Sequence, residues 1–154
     1  MTLYSLLYSL HVLAAMLWVG GMFFAWMVLR PSAAAILQPP ERLKLWVTVF
    51  RRFFLWVWLA VLVLPMSGMG IWHMRFAGFV GAPGYVHIMA GLYLMMLAVF
   101  LRIALQLFPR LEQAVNSEDW PNGGNILGRI RHLVGVNLSL GLLTVALAAA
   151  RPYF

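Results

Sequence analysis

The sequence contains no cysteine and only four acidic residues among its 154 positions. Without cysteine the chain can form neither a disulfide framework nor a thiolate-bound cluster, and it cannot attach a c-type haem covalently. Any metal or cofactor must therefore be held by histidine, methionine or oxygen ligands. The acidic residues all lie outside the long apolar runs, so nothing in the sequence supports a proton-driven transporter.

Charge of either sign is scarce, because charged residues make up 10% of the chain and hydrophobic residues 64%. This composition is far from that of a soluble domain and predicts an integral membrane protein whose main partner is the lipid bilayer. The net charge of +7 comes from cations at the ends of apolar runs. Such cations set membrane topology, so we do not expect nucleic acid as a partner.

Four apolar runs are long enough to cross the ~30 Å hydrocarbon layer as helices. They cover residues 3–29, 53–72, 85–108 and 133–150. The sequence therefore predicts an all-α fold, an integral membrane four-helix antiparallel bundle that forms one domain over residues 1–154. Residues 32–50 are predicted as a loop followed by an interfacial helix, and residues 109–131 as a loop. Pro65 is predicted to kink the second span, because it removes one backbone donor.

Positive charge is unequally divided between the two ends of these spans. Most of it lies in two connecting segments: Arg30, Arg42, Lys44, Arg51 and Arg52 in the first, and Arg110, Arg129 and Arg131 in the second. The opposite side carries only Arg75 and Arg151. By the positive-inside rule, we expect a multi-pass protein of a bacterial-type inner membrane with both termini outside the cytoplasm.

His11 is the only histidine in the first apolar run. An imidazole inside a membrane is costly, so we expect it to face the protein interior and to have a partner. If Tyr8 and Tyr85 lie at the outer interface, His11 is roughly 4 to 5 Å deeper than Tyr8, and His87 about 3 Å deeper than Tyr85. His73 lies at the same rim, whereas His132 lies among arginines at the cytoplasmic end.

Two imidazoles on facing helices at similar depth meet the requirement for a b-type haem. His11 and His87 are the predicted axial ligands. Trp18 lies on the His11 face of its span, Gly91 follows His87 at i+4 and would let a porphyrin approach the backbone, and Arg75 could neutralise a propionate. The predicted role is electron transfer or a membrane redox reaction with an unidentified redox partner. Whether that role includes catalysis, and whether the chain forms a homo-oligomer, is left open.

Two other interpretations remain at this point. Both histidines could simply bond to helix carbonyls or to each other. Alternatively, the second span could present a copper site, because Met66, Met69, His73 and Met74 recur at i, i+3, i+7 and i+8. Thioethers and an imidazole suit Cu(I) and would indicate a copper-binding or copper-transport membrane protein. Methionine at helical spacing in an apolar segment is also common packing filler.

Three segments resemble a known family. They are LHVLAAMLWVGG at residues 10–21, RRF at residues 51–53 leading to a Ser67-Gly68 pair, and VHIMAGL at residues 86–92. They resemble the four-helix membrane domain of the CopD copper-resistance family and its relative HemJ. The resemblance implies a four-span bundle with a role linked to copper for CopD. For HemJ it implies haem-dependent oxidation of protoporphyrinogen, with His11 and His87 as the haem ligands.

The chain also departs from the HemJ-like pattern. HemJ-like chains continue the first span with a second histidine and carry a lysine soon after the third-span histidine. Here residues 25–30 contain no histidine, and Met89 stands where the lysine would be. The resemblance therefore favours the haem site over the oxidase activity.

Overall fold

The structure is a computed structural model that describes residues 2–76 and 80–150. Over these residues the chain forms four helices long and apolar enough to cross a membrane: α1 (Leu3–Ile36), α2 (Pro39–Phe76), α3 (Gly84–Asn116) and α4 (Trp120–Ala150). No strand occurs in the same residues. The predicted all-α four-helix membrane bundle is thereby confirmed, while Arg151 lies outside the described residues.

The helices are longer than the predicted spans. Only Leu37 and Gln38 separate α1 from α2, and α3 and α4 extend over most of residues 109–131. The loop predicted over residues 109–131 is therefore wrong in large part. In residues 32–50 the predicted helix is present, and the loop before it is reduced to Leu37 and Gln38. Pro39 and Pro121 stand in the first turn of a helix, where the missing N–H has no partner to lose. Pro109 lies inside α3, after an irregular turn. The apolar side chains of both segments, including Trp46 and Leu111, are buried in the core.

Both α1 and α3 contain a π-helical turn. The turns cover Ala25–Leu29 and Ile103–Leu107, and each is followed two residues later by a proline, Pro31 or Pro109. A proline has no N–H to donate to the carbonyl one turn earlier. In the π-helical turn before it, each backbone hydrogen bond spans five residues instead of four. A π-helical turn followed by a proline thus occurs at a similar place in α1 and in α3, which are the first helices of the two halves of the chain.

Helix α1 packs mainly on α2, and α3 packs mainly on α4. The space between the two pairs is filled with aromatic rings. The Trp18 ring stands edge-on to those of Tyr93 and Phe100, with centroids 6.4 and 6.0 Å away. The Phe54 ring meets that of Phe100 at 5.5 Å. These rings keep α1 and α2 apart from α3 through the middle of the bundle.

Helix α2 continues through Pro65. The proline leaves the carbonyl of Val61 without its usual donor, and the hydroxyl of Tyr93 on α3 donates to that oxygen at 2.8 Å. In a membrane a carbonyl without a donor is costly. The proline therefore creates a polar contact that joins the two helix pairs.

Candidate metal site between the helices

His11 is half-buried where α1 meets α2. Its Nδ1 lies 2.9 Å from the hydroxyl oxygen of Ser67 on α2. The next residue, Gly68, faces the ring, and a Cβ at that position would be in van der Waals contact with the His11 Cε1 at 3.4 Å. The expected partner of the intramembrane histidine is therefore a serine on the second span.

The hydrogen bonds of Ser67 determine which ring nitrogen of His11 carries its proton. The hydroxyl donates to the carbonyl of Val63 at 2.6 Å, with the Leu64 carbonyl at 3.2 Å. Because its single proton is used there, the hydroxyl oxygen accepts from the imidazole. We infer that Nδ1 of neutral His11 is protonated and that Nε2 carries the lone pair. Metal-binding histidines use this arrangement, in which one nitrogen donates to a neighbour and the other binds the metal.

Contacts deeper in the bundle fix the relative depth of the two predicted haem ligands. The rings of Trp18 and Tyr93 are in contact, so these residues lie at one level of α1 and α3. At 1.5 Å per residue, His11 is about 10 Å above that level on α1 and His87 about 9 Å above it on α3. The two histidines therefore lie at similar depth toward the same end of the bundle.

His87 lies in the first turn of α3, and its Nε2 donates to the carbonyl of Ala82 at 3.2 Å. The other residues of the predicted haem site are not gathered around His87. Trp18 is only 2% exposed and is enclosed by aromatic rings. Gly91 is exposed, with open space where a Cβ would stand. Arg75 donates to the Tyr4 hydroxyl at 3.2 Å.

The predicted copper residues lie on the outer surface of α2. Met66 is 68% exposed and Met69 57% exposed, and His73 and Met74 are exposed as well. The buried side of the same helix carries Ser67 and Gly68. These four residues therefore do not share a face with His11. Across the described ranges, no three histidine or acidic side chains form a metal-binding group.

Three interior residues were not predicted as part of a site. Met22 and Met96 are buried in the core. Asn137 is 2% exposed, and its Oδ1 is buried with no hydrogen-bond partner in the described part of the chain. Periodicity could not single out these positions, because almost every neighbour is also apolar.

The close approach of α4 to α1 and α3 shows where these residues lie. A Cβ at Gly141 would be 2.8 Å from the Val19 side chain and 3.2 Å from Cε of Met96. Asn137 is one turn from Gly141 toward the other end of the bundle, and Met22 is one turn from Val19 in the same direction. The unpartnered amide oxygen is therefore at the depth of a buried thioether.

A family model described as "CopD: Copper resistance protein D" matches residues 47–151. The chain belongs to the CopD family. Neither the curated proteins nor the solved structures give a match. The CopD half of the resemblance is thereby confirmed, and copper is the metal that the family name indicates. The similarity to HemJ stays a prediction.

Proposed function

We propose that this CopD-family protein binds Cu(I) as its cargo within the membrane and that Nε2 of His11 is a ligand. The observation that carries the proposal is the hydrogen bond from His11 to Ser67, which leaves Nε2 as the lone-pair nitrogen. The family description supplies the metal. Imidazole and thioether ligands suit monovalent copper, and a chain without cysteine has no softer ligand to offer.

The cargo needs a ligand at each depth, because an unligated cation in the hydrocarbon layer is costly. Between the rim and the level of Ser67, the exposed set Met66, Met69, His73 and Met74 would receive the ion. Farther in, His11 would hold it, and beyond His11 lie Met96, Met22 and the Asn137 amide oxygen. These ligands are neutral, so the ion keeps its own charge and is not trapped by a carboxylate.

The test is a Cu(I) titration of the full-length protein in detergent against a chromophoric Cu(I) chelator. The variant is His11→Ala and the control is His132→Ala, which removes an exposed histidine on α4. We expect His11→Ala to weaken binding at least about tenfold, as for loss of a metal ligand or its partner, and His132→Ala to bind like the parent. Equal affinity in both variants would refute the role of His11.

A matched pair of double variants tests the rim. Met66→Leu with Met69→Leu removes two exposed thioethers from α2, and Met16→Leu with Met95→Leu removes two exposed thioethers from α1 and α3. If the rim receives copper, only the first pair should lower the bound stoichiometry. Volume-conserving changes of this kind cost under about 1.5 kcal/mol of stability, so a lower copper stoichiometry would not be caused by unfolding.

The second candidate is a b-type haem held by His11 and His87, and the similar depth of the two histidines favours it. His11 fits an axial ligand as it stands, because Nε2 is the lone-pair nitrogen. His87 would fit if its Nε2 gave up the hydrogen bond to the Ala82 carbonyl and bound the iron instead. Trp18 and Gly91 would line the site and Arg75 would meet a propionate. The bound haem would supply one-electron chemistry toward a redox partner.

One spectrum separates the two candidates. Protein from haem-replete cells should show a Soret band, and sharp α and β bands on reduction, if a six-coordinate haem is present. His11→Ala removes a ligand in both cases, whereas His87→Ala should remove only the haem. A colourless preparation that binds Cu(I) would exclude the haem candidate.

A further inference from the structure

Arginines from three helices meet at the end of the bundle opposite His11. Arg30 on α1 and Arg131 on α4 line one narrow cleft, together with Trp26, Trp46 and Phe50. Arg42 on α2 is close enough to repel Arg131 electrostatically. Like charges held together in a partly buried place are unfavourable unless an anion lies between them.

No carboxylate of the described chain fills that role. Glu112 pairs with Arg51, with Oε1 2.6 Å from Nη2, and that is the one ion pair within residues 2–76 and 80–150. Asp119 accepts from the Asn122 backbone. The Nε of Arg131 is buried and has no hydrogen-bond partner in those residues. A buried guanidinium donor without an acceptor costs free energy, so this nitrogen lacks the acceptor that its position requires.

The walls of the cleft are held in place by close packing. Trp26 stands in the π-helical turn of α1, and its ring lies so close to Gly135 of α4 that a Cβ there would be 2.8 Å from it. The guanidinium carbon of Arg30 lies 4.6 Å from the centre of the same ring. Tryptophan and arginine together are typical of the membrane interface, and only His132 separates Arg131 from the apolar residues 133–150.

We propose that the arginines around this cleft bind a phosphate group at its rim, namely the headgroup phosphate of an anionic phospholipid. Guanidinium groups bind phosphate oxygens through paired, charge-assisted hydrogen bonds. A phosphate beside the Arg131 guanidinium would lie among the positive charges of Arg30, Arg42 and Arg131 and offset their repulsion. The aromatic side chains beside the cleft would lie near the glycerol and the first acyl carbons. This proposal does not depend on copper or haem, because the cleft lies at the other end of the bundle from His11.

The test is native mass spectrometry of the full-length protein after reconstitution in phosphatidylcholine nanodiscs containing phosphatidylglycerol. The variant is Arg131→Gln and the matched control is Arg129→Gln, which removes an exposed arginine from the same helix. We expect one retained phosphatidylglycerol on the parent and on Arg129→Gln. Arg131→Gln should bind it about tenfold more weakly, as for loss of a charge-assisted hydrogen bond.

A second variant keeps the proposal testable if Arg131→Gln does not fold. Arg30→Gln leaves Arg131 in place and should also weaken lipid retention about tenfold. Competition with inorganic phosphate and glycerol phosphate then identifies the source of the phosphate group. Displacement at millimolar concentration would support a soluble phosphate ligand, and no displacement would support the lipid. Equal retention by Arg30→Gln, Arg129→Gln and the parent would overturn the proposal.

Discussion

At the scale of single residues, Ser67 determines the chemistry of His11. Its hydroxyl donates to Val63 and accepts from the imidazole, so it fixes the tautomer as well as the ring position. A histidine ligand held this way has its metal-binding nitrogen prepared before the metal arrives. The neighbouring Gly68 faces the same ring.

Replacing Ser67 by alanine should weaken Cu(I) binding. The Nδ1–H of His11 then has no side-chain acceptor, and changes in such outer partners typically cost 10- to 100-fold in metal affinity. We expect a loss of about tenfold in the chelator competition. Ser9→Ala is the control, because Ser9 is exposed and its hydroxyl only bonds back to the carbonyl of Ser5 in α1. An equal affinity in the two variants would contradict the positioning role of Ser67.

At the scale of helices, Pro65 and Tyr93 act together. The proline removes one donor from α2, and the tyrosine of α3 supplies another to the Val61 carbonyl. The pair therefore adds a polar contact between helices that also meet through aromatic rings and the Arg51–Glu112 ion pair. The contact depends on both residues, because an alanine at position 65 could restore the backbone N–H.

A double-mutant cycle measures this coupling. Tyr93→Phe should lower the free energy of unfolding by about 1 to 2 kcal/mol in the parent, since it leaves a buried carbonyl without a donor. In a Pro65→Ala background the same change should cost less, because the backbone N–H restored at position 65 can bond to the Val61 carbonyl. The measurement is reversible unfolding in mixed micelles. Equal costs in the two backgrounds would show that Tyr93 does not compensate for the proline.

At the scale of the whole molecule, the long helices place the two proposed sites at opposite ends of the bundle. The helices extend beyond the hydrocarbon layer at the arginine-rich end, since 33 to 38 residues for α1, α2 and α3 exceed the ~20 that a span requires. That end carries the Arg51–Glu112 pair and the arginine cleft. The opposite end carries His11 and His87. The two proposed sites are thus separated by the thickness of the membrane.

The charge distribution predicts that the arginine-rich end is cytoplasmic. The chain has no cysteine, so a single introduced cysteine is the only thiol of the protein that a maleimide can label. In intact cells a membrane-impermeant maleimide should label Val80→Cys, in the 96% exposed turn before α3, and should not label Ser117→Cys between α3 and α4. The reverse pattern would show that both termini lie in the cytoplasm.

The sequence alone determined the class, the number of spans and the family. Hydrophobic runs of sufficient length can only be helices in a membrane, because every backbone group must be bonded within its own segment. The residues that match CopD are contiguous, so they can be recognised without coordinates. His11 could be identified as a candidate because a polar ring in an apolar run stands out.

Tertiary structure decided which partners these residues have. Ser67 is far from His11 along the chain, and only the packing of α1 on α2 joins them. Tertiary packing also explains the helix over residues 109–116, which was predicted as a loop, since Leu111 gains burial that outweighs its polar surroundings. Arg131 and Asn137 look like ordinary interfacial and interhelical polar residues in the sequence. Only the fold buries the Arg131 Nε and the Asn137 Oδ1 away from any partner in the described chain, because satisfaction of a polar atom depends on three-dimensional neighbours.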